Sequence, residues 1–353
     1  MLEVLLQWYR RRFTDPQAIA LLLILLAGFG ILYFMHAILA PLLVAVVLAY
    51  LLEWPTARLQ RLVGSRTWAA TIVLLLFGGV ALLLVLFVAP TAWRQGINLV
   101  ADLPNMLNQF YNYAVTLPER YPALVDAGII DMVIDNLRSR LASVGESVVK
   151  FSLASLVGLL TLGIYAILVP LMVFFLLKDK EQMIDAVRQV LPRNRGLAGK
   201  VWVEMNQQIT NYIRGKALEM VIVGGVSYLL FTFLGMRYSL LLAVLVGFSV
   251  LVPYIGAVLV TIPVVAVALF QWGVGADFWT LVIAYLVIQA LDGNLLVPLL
   301  FSEAVNLHPL VIILAVVIFG GLWGFWGVFF AIPLATLVKA VIHAWPDTAQ
   351  PAE

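Results

Sequence analysis

Long apolar runs without a single charge dominate the chain. Ala18–Leu52 contains no Asp, Glu, Lys or Arg, and neither do Thr67–Trp93 and Phe151–Leu177. A helix needs about 20 apolar residues to cross a hydrocarbon core of about 30 Å. The first run is too long for one straight helix and has Pro41 in its middle. It predicts a pair of spans, roughly 17–35 and 38–53, with a tight turn near His36. Thr67–Trp93 predicts a third span, and Phe151–Leu177 a fourth with Pro170 inside it. A fifth covers 217–235 and holds Glu219 near one end. Beyond it lie a long apolar run over 238–276, a shorter one over 278–291 and a last one over 304–338. The runs are unbroken rather than alternating, which selects helices over a β-barrel. The expected fold is therefore all-α: a polytopic helical membrane protein with about eight transmembrane helices.

Two polar segments interrupt this pattern. Within 94–150, Leu99, Leu103, Met106, Leu107, Phe110 and Val115 recur at helical spacing, as do Ile129, Ile130, Val133, Ile134, Leu137 and Leu141. These predict amphipathic helices in a small external subdomain. Segment 178–213 predicts a helix over 179–191, a turn at Pro192–Gly196, and a second helix from about 197 leading into span five.

Two of the long runs resemble one another. Ala243–Gly247, Pro253-Tyr254-Ile255-Gly256 and Ile262-Pro263 have counterparts in Ala315–Ile318, the glycines 320, 321, 324 and 327, and Ile332-Pro333. The repeat pairs 240–270 with 312–342. Each run is longer than a straight span needs, and Gly or Pro interrupts each near its middle. Paired, interrupted apolar segments are the sequence pointer to a transporter site. One long tilted helix in each place, with glycines for close packing, is the alternative.

Composition sharpens the class. Of 353 residues, 63% are hydrophobic and 11% charged, whereas soluble domains carry about 25% charged residues. With a mean hydropathy of +1.05, this excludes a soluble enzyme, a disordered chain and a nucleic-acid binder. The absence of cysteine removes thiol nucleophiles and thiolate metal sites. The N-terminal apolar run leads straight into the next one, so it does not read as a cleavable signal peptide.

Charge placement sets the sidedness. Basic residues cluster at Arg10–Arg12, at Arg58, Arg61 and Arg66, and through 178–216. Segment 94–150 balances five basic residues with six acids. By the positive-inside rule the three basic segments are cytoplasmic and 94–150 faces outward. The N- and C-termini are then both cytoplasmic.

Enzymatic chemistry finds little support. His36, His308 and His343 are scattered, without metal-ligand spacing. Gly196–Val201 lacks the spacing and the hydroxyl of a phosphate loop. The expectation is no catalytic residue, no metal and no cofactor. Two polar clusters within apolar sequence stand out instead. The first is Gln207, Gln208, Asn211, Tyr212, Arg214, Gly215, Lys216 and Glu219. Snorkelling anchors or a gating role would each account for it. The second is Gln289, Asp292, Asn294, Pro298, Ser302, Glu303, Asn306 and His308. Ionisable groups at membrane depth are costly and usually serve a pathway, although Asp-Gly-Asn is also ordinary turn chemistry. The substrate or coupling-ion candidates are Asn211, Arg214, Glu219, Pro253, Gly256, Gln289, Asp292, Asn294, Pro298 and His308.

Several of these stretches resemble motifs of the autoinducer-2 exporter (AI-2E) family of bacterial membrane proteins. They are Phe174–Asp179, Tyr212-Ile213-Arg214-Gly215, Pro253–Gly256, Asp292-Gly293-Asn294 with Pro298, Leu307-His308-Pro309 and Gly327–Pro333. The resemblance covers nearly the whole chain. It implies a multi-pass protein of the bacterial inner membrane and export of a small signalling sugar derivative or ion-coupled exchange. It also implies a homopentamer and an elevator-like mechanism. Two departures fall at the candidate site: many relatives have Glu where Asp292 stands, and a basic stretch where this chain has Ser302-Glu303-Ala304.

The combined expectation is a secondary transporter of a small molecule or ion, embedded in lipid, homo-oligomeric and without nucleic-acid partners. A membrane scaffold acting through 94–150 and a channel are the alternatives. The expected organisation is spans 1–3 over 1–93 and an external subdomain over 94–150. Span 4 and a cytoplasmic helical segment follow over 151–216, then a transport core over 217–345 and a tail over 346–353.

Overall fold

The computed structural model describes residues 16–115, 161–190, 196–301 and 307–344, and every regular element among them is helical. The helices are α1 (Pro16–Val63), α2 (Arg66–Val115), α3 (Thr161–Lys178), α4 (Lys180–Val190) and α5 (Gly196–Phe233). They continue with α6 (Ser239–Ser249), α7 (Ile255–Trp272) and α8 (Ala276–Leu291). A π-helical turn over Asp292–Leu296 joins α8 to α9 (Val297–Phe301), and α10 (Pro309–Phe329) and α11 (Ala331–Ala344) complete the chain. Seven helical stretches among the described residues are long and apolar enough to cross a membrane. Their apolar side chains are largely exposed, as in Leu75, Leu86, Phe87 and Ile167, which suits contact with lipid. The protein is a polytopic helical membrane protein.

The expected turn near His36 does not form. Helix α1 runs unbroken for 48 residues. Phe34-Met35-His36-Ala37 contains neither glycine nor proline, and nothing there stops a helix. Leu25 packs on the cluster of Val201, Met205 and Ala340. Tyr50 donates its hydroxyl to Asn206 Oδ1 at 2.9 Å. Twenty-five residues of straight helix would separate Leu25 and Tyr50 by about 37 Å; Leu25 packs on the cluster that α5 forms with Ala340 of α11, and Tyr50 bonds α5 directly. Pro41 lies between them, and internal proline is the usual origin of a kink.

Helix α2 likewise continues past the expected boundary at Trp93 for 50 residues in all, with Pro90 and Pro104 inside it. Residues 94–106 are thus an extension of the span. Leu99 and Met106 pack against the core of α5–α8. The remainder of the expected external subdomain, 116–150, lies outside the described residues, as do Ser302, Glu303 and Asn306.

Polar clasps fix the two ends of the bundle. At one end Arg66 Nε donates to the Leu177 carbonyl at 2.6 Å, and Arg66 Nη2 pairs with Glu53 at 3.1 Å. Lys180 Nζ meets the same carboxylate at 2.9 Å. This knot brings the ends of α1 and α3 and the start of α2 to one side. At the other end Tyr238 donates its hydroxyl to Asp102, and Gln95 Oε1 accepts from the Leu241 N–H at 2.8 Å. Burial, followed by the Asp102 hydrogen bond and charge, pushes the Tyr238 hydroxyl up to about 12.

Both interrupted runs fold as helical hairpins. In the first, α6 and α7 pack side by side and their outer ends meet. Gln271 accepts from the Arg237 N–H at 2.7 Å and donates to the Gly235 carbonyl at 2.8 Å. The break falls at Val250–Tyr254, where Tyr254 adopts φ 60°. In the second, α10 breaks at Gly324 (φ 58°, ψ −133°), and the chain returns through α11. Ala315 and Val316 pack there on Ala331 and Ala335. One glycine serves the same purpose in each hairpin. A Cβ on Gly256 would overlap the Ser249 carbonyl oxygen, and one on Gly327 the Phe319 carbonyl oxygen. Only a bare Cα lets the two arms approach so closely.

Candidate functional site between two hairpin breaks

Helix α5 is the scaffold of the site. Tyr212, Lys216, Glu219 and Val223 are buried on one face, while Leu218 and Val221 are exposed on the other. The spacing of three and four is that of one helical stripe. Two donors on this stripe, one turn apart, each satisfy a carbonyl at a hairpin break. Lys216 Nζ donates to the Val250 carbonyl at 2.9 Å. Tyr212 donates its hydroxyl to the Phe329 carbonyl at 2.8 Å. A helix end leaves carbonyls without intrahelical partners, and α5 supplies the missing donors to both hairpins.

The hairpins reach α5 from opposite ends. The first opens beside Asp102 and Gln95 of α2, and its break meets Lys216. The second opens where Ala340 of α11 packs on Val201 and Met205, and its return arm begins beside Tyr212. Phe29 of α1 stacks on Trp323 at its tip, with ring centroids 5.2 Å apart.

A buried ionic group lies between the breaks. Lys216 Nζ is 2.8 Å from Glu219 Oε2, and the two side chains are only 7% and 2% exposed. The contact is an ion pair rather than an aligned hydrogen bond. Asp292 stands close enough that its charge acts on both Lys216 and Glu219. Its Oδ1 is buried without a hydrogen-bond partner. The Phe301 ring centroid lies 5.2 Å from the Lys216 ammonium. Two carboxylates against one ammonium leave the centre with a net negative charge when all three are ionised.

Asp292 reaches this place through the π-helical turn. The expected end of a span near 291 is not an end, because the helix continues through Asp292–Leu296 into α9. The alternative of a cap at Asp-Gly-Asn is therefore not what forms. Pro298, just beyond, lacks the N–H that a regular α-helix would use. A π-bulge inside an α-helix frequently marks a functional site.

The other sequence candidates scatter. Pro253 and Gly256 belong to the first hairpin's break. Gln289 donates to the Tyr285 hydroxyl at 2.9 Å, and that hydroxyl lies 3.2 Å from Thr261 Oγ1. This polar ladder ties α8 to α7. Asn294 donates to the Ala290 carbonyl of its own helix and is exposed. His308 caps α10, its Nδ1 accepting from the Leu310 N–H at 3.2 Å. Asn211 accepts weakly from Gln207 at 3.4 Å in a groove with Trp202 and Val203. Arg214 lines a groove of about 480 Å³ with Leu51, Trp54, Ala217, Leu218 and Val221, away from the ionic centre.

Tyr212 and Lys216 stood in the first polar cluster but not in the shorter candidate set, and Phe301 stood in neither. The signal for Lys216 lay in its spacing. A Lys three residues before Glu219 pairs with it on one face, whereas Arg214, five residues before, points elsewhere.

A polar centre between two broken helices is the arrangement of a membrane transporter. The chain belongs to the AI-2E family: the family described as AI-2E family transporter matches residues 22–347. It is 72% identical over 347 residues to the "Putative permease PerM" of Escherichia coli (strain K12), an alignment covering 98% of each chain. It is 23% identical over 326 residues to the "AI-2 transport protein TqsA" of the same organism, covering 92% of this chain and 90% of that one.

Proposed function

We propose that the chain is a secondary carrier exporting a small polar solute across the bacterial inner membrane. In this reading its termini and the segments 54–67 and 178–214 are cytoplasmic. The observation that carries it is the meeting of two oppositely entering hairpins at Tyr212 and Lys216 of α5, near Asp292 with its buried, unpartnered Oδ1. Broken helices offer a solute free backbone dipoles at membrane depth. The unpartnered Asp292 Oδ1 offers it an acceptor. A small polyhydroxylated molecule of the autoinducer-2 type fits such groups, and the similarity to the "AI-2 transport protein TqsA" supports that substrate class.

The hairpins and α5 form the moving unit, and α1–α3 the frame, in an elevator-like cycle. Asp292 couples the movement to an ion. The exposed apolar helix faces support a homo-oligomer surrounded by lipid. Flux of a panel of hydroxylated solutes into proteoliposomes, under imposed proton or sodium gradients, tests the reading. Gradient-driven uptake of at least one solute, lost in Asp292→Asn with the fold intact, is expected. No flux of any solute, combined with loss of cellular function on changes in 94–150, would favour a scaffold instead.

A further inference from the structure

Lys216 occupies a place that has the chemistry of a monovalent cation site. Val250 is the C-cap residue of α6. A half-helix C-terminus concentrates negative partial charge on its free carbonyls. In transporters built from broken helices, such carbonyls are where sodium is held. Here the Val250 carbonyl oxygen takes a hydrogen bond from the Lys216 ammonium at 2.9 Å. The remaining surroundings are those a cation attracts. Glu219 Oε2 lies at 2.8 Å. The Phe301 ring is 5.2 Å away, within cation–π range. Asp292 acts electrostatically from the π-helical turn, with one oxygen lacking a hydrogen-bond partner. The groups in contact with the ammonium thus come from α5, from the first hairpin's break and from α9.

We propose that the Lys216 ammonium is a tethered cation standing where an alkali-metal ion would otherwise bind, and that it latches the first hairpin without added sodium. The inference rests on the reading of the hairpins and α5 as the working unit of a carrier. A lysine differs from a bound ion in one respect that matters for coupling: it cannot leave. Among the described residues, Glu219 and Asp292 are the carboxylates whose charge acts on it, with the Tyr212 hydroxyl one turn away on the same helix face. The latch is therefore made and broken by swinging of the lysine stem, and sodium has no part in it. Removing the side chain while keeping both carboxylates and the Val250 carbonyl leaves a vacant, negatively charged site. Sodium can then fill it.

The test needs no transported solute, so its failure is distinguishable from failure of the carrier reading. Amide hydrogen exchange of the segment 247–258 is followed in lipid nanodiscs, in sodium chloride and in choline chloride of equal ionic strength. Wild type is expected to be equally protected in both salts. Lys216→Ala is expected to exchange about tenfold faster in choline, the loss of one charge-assisted hydrogen bond. Sodium should restore most of that protection. Lys216→Ser carries the same comparison if the alanine variant does not fold. As a control, Lys216→Ala/Glu219→Gln should exchange fast in both salts. Protection of Lys216→Ala equal to wild type in choline would overturn the latch. Fast exchange of that variant in both salts would overturn the cation site, and so would a sodium response in wild type.

Discussion

Replacing Gly256 with alanine tests the hairpin geometry most simply. The added Cβ would overlap the Ser249 carbonyl oxygen and stand 2.8 Å from its carbonyl carbon and 3.2 Å from its Cα. Backbone fills all three positions, so no side-chain rotation relieves the overlap. Overpacking of this kind costs about 1–3 kcal/mol. Against it stands the helix-propensity gain of alanine over glycine, about 0.5–1 kcal/mol in a helix interior and less here, because Gly256 is in the first turn of α7. The net loss is about 1–2 kcal/mol, or about 1–3 °C in the unfolding midpoint of a chain of this length. Thermal unfolding in mild detergent, followed by size-exclusion chromatography, reads it. Gly225 in α5 is the control, since a Cβ there meets open space. Gly225→Ala should match or exceed wild type. A Gly256→Ala protein as stable as Gly225→Ala would refute the close approach of α6 and α7 at this point.

Lys216→Met alone should destabilise the protein by about 3–5 kcal/mol, because it strands a buried Glu219. Lys216→Met/Glu219→Leu should recover most of that loss, and midpoints from the same thermal assay compare the two. Arg214→Lys should retain transport measured in proteoliposomes, because the guanidinium lines a groove on the opposite side of α5 from the ionic centre; a large loss at normal insertion would assign it solute recognition. In a chain without cysteine, an impermeant maleimide should label Asn112→Cys from the periplasmic side, and labelling from the cytoplasmic side alone would invert the topology.

Much of this architecture was legible because apolar length and periodicity are local properties. The spans, the α4 helix and both interrupted runs follow from residue order alone. The continuous α1 was not legible. Length and Pro41 argued for two spans, but the helix passes through that proline without ending. The π-helical passage through Asp292 was missed for a related reason: Asp-Gly-Asn has turn chemistry in isolation, and the packing of Phe301 beneath Gly215 depends on tertiary structure. At the site, Glu219 and Asp292 were visible as carboxylates in apolar sequence. Lys216 and Tyr212 were visible in the first polar cluster, but their partners were not, because these are main-chain carbonyls at the breaks of two hairpins, 34 and 117 residues further along the chain. Carbonyls of that kind leave no mark in a residue pattern. His308 and Asn294 show the converse error, since both are polar residues occupied by their own local backbone.

The central claim is that the two hairpin breaks surround one site that opens to each side of the membrane in turn. Ser249→Cys places a thiol at the first break in an otherwise cysteine-free chain. Impermeant maleimide labelling of this variant, in right-side-out and in inverted vesicles, tests that claim most directly. The account predicts labelling from both faces, with each rate raised by Lys216→Met in the same chain, because that substitution removes the hydrogen bond to the Val250 carbonyl. Labelling from one face only, at a rate unaffected by that substitution, would contradict it.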